Sequence, residues 1–83
     1  MKVVVRYFAS LREALGPTES LEVAPGATVG SVRSALIERD AAHAAALDRS
    51  RAVRAALDQV LCDEDASVGE GAEIGFFPPV TGG

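Results

Sequence analysis

The sequence predicts a small α+β domain. Segments in which β-branched and aromatic residues alternate with polar ones occur near both ends of the chain and indicate strands. Segments with apolar residues three and four positions apart lie between them and indicate helices. The chain has 83 residues, which is enough for one domain with a small hydrophobic core.

The first element is a strand over residues 2–8, which is rich in valine and aromatic residues. Lys2 and Arg6 share one parity of this strand and must face solvent. Phe8 has the same parity, so we expect an exposed aromatic ring at the end of the strand. The opposite parity, which should face the core, consists of Val3, Val5 and Tyr7.

A short helix should follow. Ser10 and Glu13 fit a capping box that begins it, and Gly16 with Pro17 ends it. Residues 20–24 then alternate as a second strand, with their leucine and valine facing the core.

A longer helix is predicted after a turn at Pro25 and Gly26. The hydroxyl of Thr28 can cap the first turn of this helix. Apolar residues then recur at helical spacing and form one buried face. They are Val29, Val32, Leu36 and Ile37.

Residues 40–62 allow two interpretations. The alanine-rich stretch 41–47 favours helix. Apolar residues then continue at helical spacing, which predicts a helix over residues 43–61. The alternative is a pair of short strands at 53–58 and 60–62, and the local pattern does not separate the two.

The last predicted strand covers residues 73–77, after a turn at 69–71. Its opening glutamate marks the solvent-exposed face. By alternation, Ile74 and Phe76 should face the core and Phe77 should face outward.

Two prolines end this strand, because proline donates no backbone hydrogen bond to a sheet. They divide the chain into a folded domain over residues 1–77 and an extended, flexible tail over residues 78–83. Six extended residues reach about 20 Å. The tail is apolar and stiffened by proline, whereas disordered chain ends are usually polar.

The tail ends in Gly82 and Gly83. With glycine at about 7% of residues, such a pair ends roughly 1 chain in 200 by chance. Glycine has no Cβ, so this end can pass through a channel too narrow for any side chain. We therefore interpret the Gly83 carboxylate as the reactive group and Gly82 as the residue that gives it access.

No catalytic or metal-binding set is predicted within the domain. His43 is the only histidine and is expected at the surface. Cys62 is the only cysteine, which excludes an intramolecular disulfide and favours a packing role. The acidic run 63–65 fails the calcium-loop pattern, which requires glycine and glutamate where Val68 and Ile74 stand, and is expected to be solvated.

The charges are distributed unevenly. Residues 1–54 carry eight basic and six acidic side chains, whereas residues 55–83 carry six acidic and no basic ones. Such an acidic half argues against nucleic-acid binding and would attract a partner with a basic surface, although a need for solubility explains it equally well. Neither a signal peptide nor an apolar stretch of the ~20 residues that span a bilayer is present, so we expect no membrane association and a cytoplasmic protein.

The last eight residues, Phe-Phe-Pro-Pro-Val-Thr-Gly-Gly over 76–83, resemble the C-terminal signature of the small-subunit family of molybdopterin synthase. Weaker similarity extends over the whole chain, including residues 8–13 and 57–59. Asp58 stands where the family has asparagine, which concerns a turn. The resemblance implies a ubiquitin-like β-grasp fold, in which a mixed sheet packs on one main helix and carries a flexible C-terminal tail. It also implies strands rather than a helix at residues 53–62.

The resemblance further implies a chemistry for Gly83. An E1-like adenylyltransferase would use ATP to adenylate its carboxylate, and sulfur would then replace the adenylate to give a thiocarboxylate. The tail would enter the large subunit of molybdopterin synthase, where the sulfur is delivered to a pterin precursor. The chain itself would bind no cofactor and no metal, and the catalytic groups would belong to its partners.

The same resemblance suggests how the large subunit is recognised. Phe8 and Phe77 are expected to form an apolar patch that contacts it, and two scattered surface aromatics are the alternative. The tail residues expected to bind the partner are Pro78, Pro79, Val80, Thr81 and Gly82.

Three other functions are considered. A sulfur carrier of another pathway, such as thiamine thiazole synthesis, would also end in Gly-Gly, although the proline pair favours the molybdopterin family. A ubiquitin-like modifier would join Gly83 to other proteins through isopeptide bonds. A plain interaction module would leave its C-terminus unmodified.

Overall fold

The computed structural model describes residues 1–79. Within this range the chain forms five strands and three helices. The strands are β1 (Lys2–Tyr7), β2 (Thr18–Glu22), β3 (Arg54–Leu57), β4 (Val60–Cys62) and β5 (Glu73–Phe77). The helices are α1 (Ala9–Leu15), α2 (Val29–Arg39) and α3 (Ala41–Leu47).

The strands form one mixed sheet in the order β2-β1-β5-β3-β4. The last strand in sequence, β5, therefore lies in the middle of the sheet. It pairs in parallel with β1 and antiparallel with β3, and the two outer pairs are antiparallel. The helices pack on one face of this sheet and leave the other uncovered. The predicted α+β fold, a mixed sheet on a main helix, is confirmed.

The core lies between the sheet and α2. Strand alternation is confirmed for β1 and β5, whose inward residues are at most 1% exposed. Burial of each large apolar side chain stabilises the fold by roughly 1.5–3 kcal/mol. The fully buried side chains of the two strands and α2 are Val3, Val5, Tyr7, Ile74, Phe76, Val29, Val32 and Leu36.

The start of α1 differs from the prediction. The N-cap is Phe8, which makes no side-chain cap, and the predicted capping box of Ser10 and Glu13 is wrong. The Phe8 N–H donates to the Phe76 carbonyl at 3.1 Å, so the chain is still bound to β5 when it turns into the helix. Ser10 consequently lies inside the first turn, where it cannot cap. The predicted end of α1 at Gly16, which has a φ of 91°, is confirmed.

The start of α2 matches the prediction. The Thr28 hydroxyl accepts from the Ser31 N–H at 3.1 Å, and the Ser31 hydroxyl accepts from the Thr28 N–H at 2.8 Å. This reciprocal capping box satisfies two backbone donors that would otherwise lack partners. The preceding strand β2 lies two residues earlier than the predicted 20–24, because its register on β1 runs from Thr18 to Glu22.

The helix predicted over residues 43–61 is wrong, and the strand pair implied by the family resemblance is present. Within residues 40–62, only residues 41–47 are helical. The chain then pairs with β5 through β3 and returns through β4. Asp58 and Gln59 form the two-residue turn with φ values of 48° and 71°, as a tight hairpin requires. The Asp58 carboxylate accepts from the Glu73 N–H at 2.9 Å, which anchors this turn to β5.

His43 is buried, contrary to the surface position expected from the sequence. Its Nε2 lies 2.7 Å from the Glu19 carboxylate, and its Nδ1 lies 2.8 Å from the Asp40 carboxylate. The Tyr7 hydroxyl donates to Glu19 at 2.7 Å, and Arg39 pairs with the second Glu19 oxygen. These five side chains, hereafter the His43 cluster, bind the β1–β2 edge of the sheet to α2 and α3.

A second buried polar group holds the segment after α3. Arg33 on α2 is 4% exposed. Its guanidinium donates to the Leu47, Asp48 and Arg51 carbonyls at 2.8, 2.8 and 3.2 Å, and to the Glu64 carboxylate at 2.7 Å. Glu64 also pairs with Arg49, so the acidic run 63–65 is not simply a solvated loop.

The His43 cluster predicts how stability depends on pH. Burial lowers the pKa of His43, but hydrogen bonds to Glu19 and Asp40 outweigh it, and the net pKa is raised above 6.5. Both ring nitrogens face carboxylates, and only the protonated imidazolium can donate to both. The stabilisation is therefore complete below about pH 6.5 and is lost as pH rises through the raised pKa. Urea unfolding at a series of pH values should show the free energy of unfolding falling above neutrality.

The matched control is His43→Gln, which keeps a polar side chain and does not titrate. Its free energy of unfolding should be lower at acidic pH and nearly flat over the interval where wild type declines. A wild-type curve that is equally flat would contradict the assignment.

Candidate functional site

The predicted tail begins at the centre of the sheet. Phe77 is the last residue of β5, and Pro78 and Pro79 follow, both half-buried. Strand β5 is hydrogen-bonded to β1 on one side and to β3 on the other, and these bonds hold the start of the tail in place. The other tail residues in the predicted site, Val80, Thr81, Gly82 and Gly83, lie outside the described residues.

An apolar depression lies on the uncovered face of the sheet, beside the start of the tail. It brings together three of the predicted contact residues, which lie at opposite ends of the sequence. Phe8 follows β1, whereas Phe77 and Pro78 lie at the end of β5. We call it the outer-face patch. It consists of Phe8, Ala56, Leu61, Gly75, Phe77 and Pro78.

The exposed surface of this patch comes mainly from two side chains. Phe8 is 41% exposed, as its strand parity predicted, and Leu61 is 68% exposed. Phe77 faces the same side and is half-buried. A small domain that leaves large apolar side chains in one uncovered depression has a surface suited to a protein partner.

Gly75 allows the ring of Phe8 to lie close to the sheet. A Cβ at Gly75 would lie 3.1 Å from Cε2 of Phe8, closer than ordinary packing allows. The ring therefore occupies the space above β5 that a side chain would fill. Arg6 covers the ring from the β1 side, with its guanidinium carbon 5.7 Å from the ring centroid. Arg6 also lies 3.7 Å from the Glu73 carboxylate.

Sequence reasoning missed Leu61 and Gly75. In the sequence, Leu61 fits the helical spacing of residues 43–61. Only the pairing of β4 with β3 places it opposite Ala56 on the outer face. Gly75 pairs with Arg6 and Ala56 in the same row of the sheet. The signal available in the sequence was a glycine inside a strand, which often marks a close approach by another group.

The described part of the chain contains no arrangement for catalysis by itself. Within residues 1–79, no cluster of three or more His, Cys, Asp and Glu side chains could hold a metal ion. Cys62 is half-buried, and burial together with the nearby Asp63 carboxylate raises the pKa of its thiol. His43 is bound by carboxylates and faces no nucleophile. No helix among these residues is long and apolar enough to cross a membrane.

Comparison with protein families finds a match to the ThiS family over residues 5–83. Among curated proteins, the chain is similar to the molybdopterin synthase sulfur carrier subunit of Escherichia coli. The two are 38% identical over 82 residues, which cover 98% of this chain and 99% of that protein.

Solved structures show the same fold. The small archaeal modifier protein 1 of Haloferax volcanii has a TM-score of 0.77 and 26% identity, covering 95% of this chain and 98% of that one. A protein complex of subunits 1 and 2 of the molybdopterin-converting factor from Helicobacter pylori contains a chain with a TM-score of 0.69 and 25% identity, at full coverage of both. The predicted ubiquitin-like fold is thereby confirmed.

Replacing Gly75 should separate the ring of Phe8 from the sheet. Gly75→Val adds a Cβ that must displace the ring, while valine suits a central strand and should preserve the fold. Nuclear Overhauser contacts between the Phe8 ring and the backbone of residue 75 should weaken strongly. Gly69→Val is the control, because nothing lies within 4 Å of a Cβ there. Contacts of wild-type strength in Gly75→Val would show that the ring does not rest on this glycine.

Proposed function

This chain belongs to the ThiS family, and on that basis we propose that it is the sulfur carrier subunit of a molybdopterin synthase. The observation that carries the proposal is the near full-length similarity to sulfur carrier subunits of that enzyme, which includes the Gly-Gly end. Two further curated relatives, from Haemophilus influenzae and Mycobacterium tuberculosis, are sulfur carrier subunits of the same enzyme. The outer-face patch beside the tail supports a role in which another protein receives the C-terminus.

The proposed reaction takes place at the carboxyl carbon of Gly83. A carboxylate is a poor electrophile, so a partner adenylyltransferase first joins it to AMP from ATP and releases pyrophosphate. A sulfur nucleophile then attacks the carboxyl carbon and AMP leaves, which produces a thiocarboxylate. Transfer of that sulfur to a pterin precursor, with water supplying the replacement oxygen, returns the carboxylate. The chain is a group carrier that is consumed and regenerated.

The structure supports a division of labour between this chain and its partners. The described residues offer no metal site and no nucleophile paired with a base, whereas they present a rigid patch at the start of the tail. The Helicobacter pylori complex is between subunits 1 and 2 of the molybdopterin-converting factor. We propose that the outer-face patch here binds the corresponding large subunit and aims the tail into its active site.

A second candidate function is protein modification. It is favoured by the structural similarity to the Haloferax volcanii modifier protein. A modifier would leave Gly83 joined to lysine side chains through amide bonds, which survive thiol treatment. A thioester link would be cleaved by thiols, and a thiocarboxylate joins the chain to no other protein. The absence of thiol-resistant conjugates in cells that make active molybdopterin synthase would exclude this function.

The terminal glycine can be tested directly. Deletion of Gly83, or Gly83→Val, should abolish sulfur loading and transfer, because the reactive carbon is moved or can no longer enter a narrow channel. Intact mass should show wild type gaining the difference between a sulfur and an oxygen atom after incubation with the adenylyltransferase, ATP and a sulfur source. The variants should gain nothing while keeping a wild-type thermal unfolding curve. Full activity of the Gly83 deletion would refute the proposed chemistry.

The outer-face patch can be tested by affinity for the large subunit. Phe77→Ala and Leu61→Asp should each weaken binding by about 2 kcal/mol, because they remove or charge a central apolar contact. Val60→Asp is the matched control, since Val60 is also 68% exposed but its row in the sheet, with Leu57 and Ile74, faces the opposite side. Equal effects of Leu61→Asp and Val60→Asp would show that the patch is not the interface.

A further inference from the structure

Two arginines lie on the uncovered face of the sheet, one on each side of β5, the strand that leads into the tail. The central strand β5 has β1 on one side and β3 on the other. In the register of the sheet, Arg6 lies opposite Gly75 and Arg54 lies opposite Phe77. Paired residues on neighbouring strands point to the same face, so both guanidinium groups lie on the face that carries the outer-face patch. Their strands are roughly 10 Å apart and their positions differ by two residues along β5, roughly 7 Å, so the two backbone positions are about 12 Å apart.

Arg54 has no partner within the described residues, and Arg6 is only partly engaged there, by the ring of Phe8 and by Glu73. Arg54 is exposed and makes no ion pair or side-chain hydrogen bond with any of residues 1–79. Arg6 is 48% exposed, and its only carboxylate contact is the 3.7 Å approach of Glu73. An exposed pair at that distance contributes little to stability. By contrast, Arg33, Arg39 and Arg49 are each bound to carboxylates elsewhere in the fold.

One acidic residue of the C-terminal half, Glu73, lines the end of the depression that lies away from the tail, where it faces Arg6. Glu73 begins β5, and Asp58 is hydrogen-bonded to it. Phe77 lies four residues further along the strand, or about 13 Å. The sequence-based expectation of a partner with a basic surface therefore does not apply to the end of the sheet where the tail begins. There the outer face is apolar, with Arg54 opposite Phe77 and Arg6 two residues further back along β5.

We propose that Arg6 and Arg54 pair with carboxylates on the rim of the channel through which the large subunit receives the tail. This inference rests on the proposed function and adds the chemistry of the partner surface. The apolar patch supplies contact area at the centre, and the two cations at its edge select a partner whose rim is acidic. A carrier that must enter one large subunit and not another would gain specificity from such charges at the entrance.

The test measures association of the chain with its large subunit by stopped flow and by equilibrium titration, at several salt concentrations. Arg54→Glu should lower the affinity by about tenfold at low salt, mostly through a slower association rate, because rim charges steer encounter. The loss should shrink as salt is added, since exposed charges are screened within about 10 Å at 0.1 M. Arg6→Glu should act in the same direction.

The matched control is Lys2→Glu. It makes the same change in net charge on the same face of β1, four residues from Arg6 and further from the tail. Its effect should stay within about twofold. If Arg54→Glu and Lys2→Glu have equal effects, the arginine pair does not recognise the partner and the inference is overturned. If wild type does not bind the large subunit at all, it is the proposed function that fails.

Discussion

The pairing of β5 between β1 and β3 is the constraint on which the rest of the structure depends. A sheet whose last strand is central cannot be completed until residues 73–77 have inserted between two strands that precede them. The same pairing buries Ile74 and Phe76 in the core. It also sets the start of the tail at the most firmly held point of the sheet. The segment that leads to the C-terminus thus leaves from a central strand of the sheet rather than from an edge strand.

Polar interactions hold the helices where apolar surface is scarce. The seven residues of α3 are mostly alanine and too few to form a stable helix alone. His43 binds one part of this helix to Glu19 on β2, and Arg33 holds the carbonyl of Leu47 at its end. Both polar groups are buried and fully partnered, which is the condition under which such groups are tolerated in a core.

The two faces of the sheet have different uses. One face is covered by helices and supplies stability. The other is left uncovered, and Gly75, which has no side chain there, lets the ring of Phe8 lie close to β5. Leu61 and Phe77 complete an apolar depression there, and Arg6 and Arg54 stand at its sides. The proposed carrier function requires only this one surface and a reactive C-terminus, with the chemical groups contributed by partners.

The sequence by itself determined the features that depend on neighbouring residues. Alternation assigned the core faces of β1 and β5, Thr28 marked the start of α2, and the tail motif indicated the family. Only the tertiary structure decided what residues 43–61 become, because β3 is selected by hydrogen bonds to β5, and β4 by hydrogen bonds to β3, and not by their own periodicity. It also decided that His43 is buried, through a carboxylate 24 positions away in sequence. Contacts across such separations leave no local pattern, and the same holds for the row of the sheet that joins Arg6, Gly75 and Leu61 on the uncovered face.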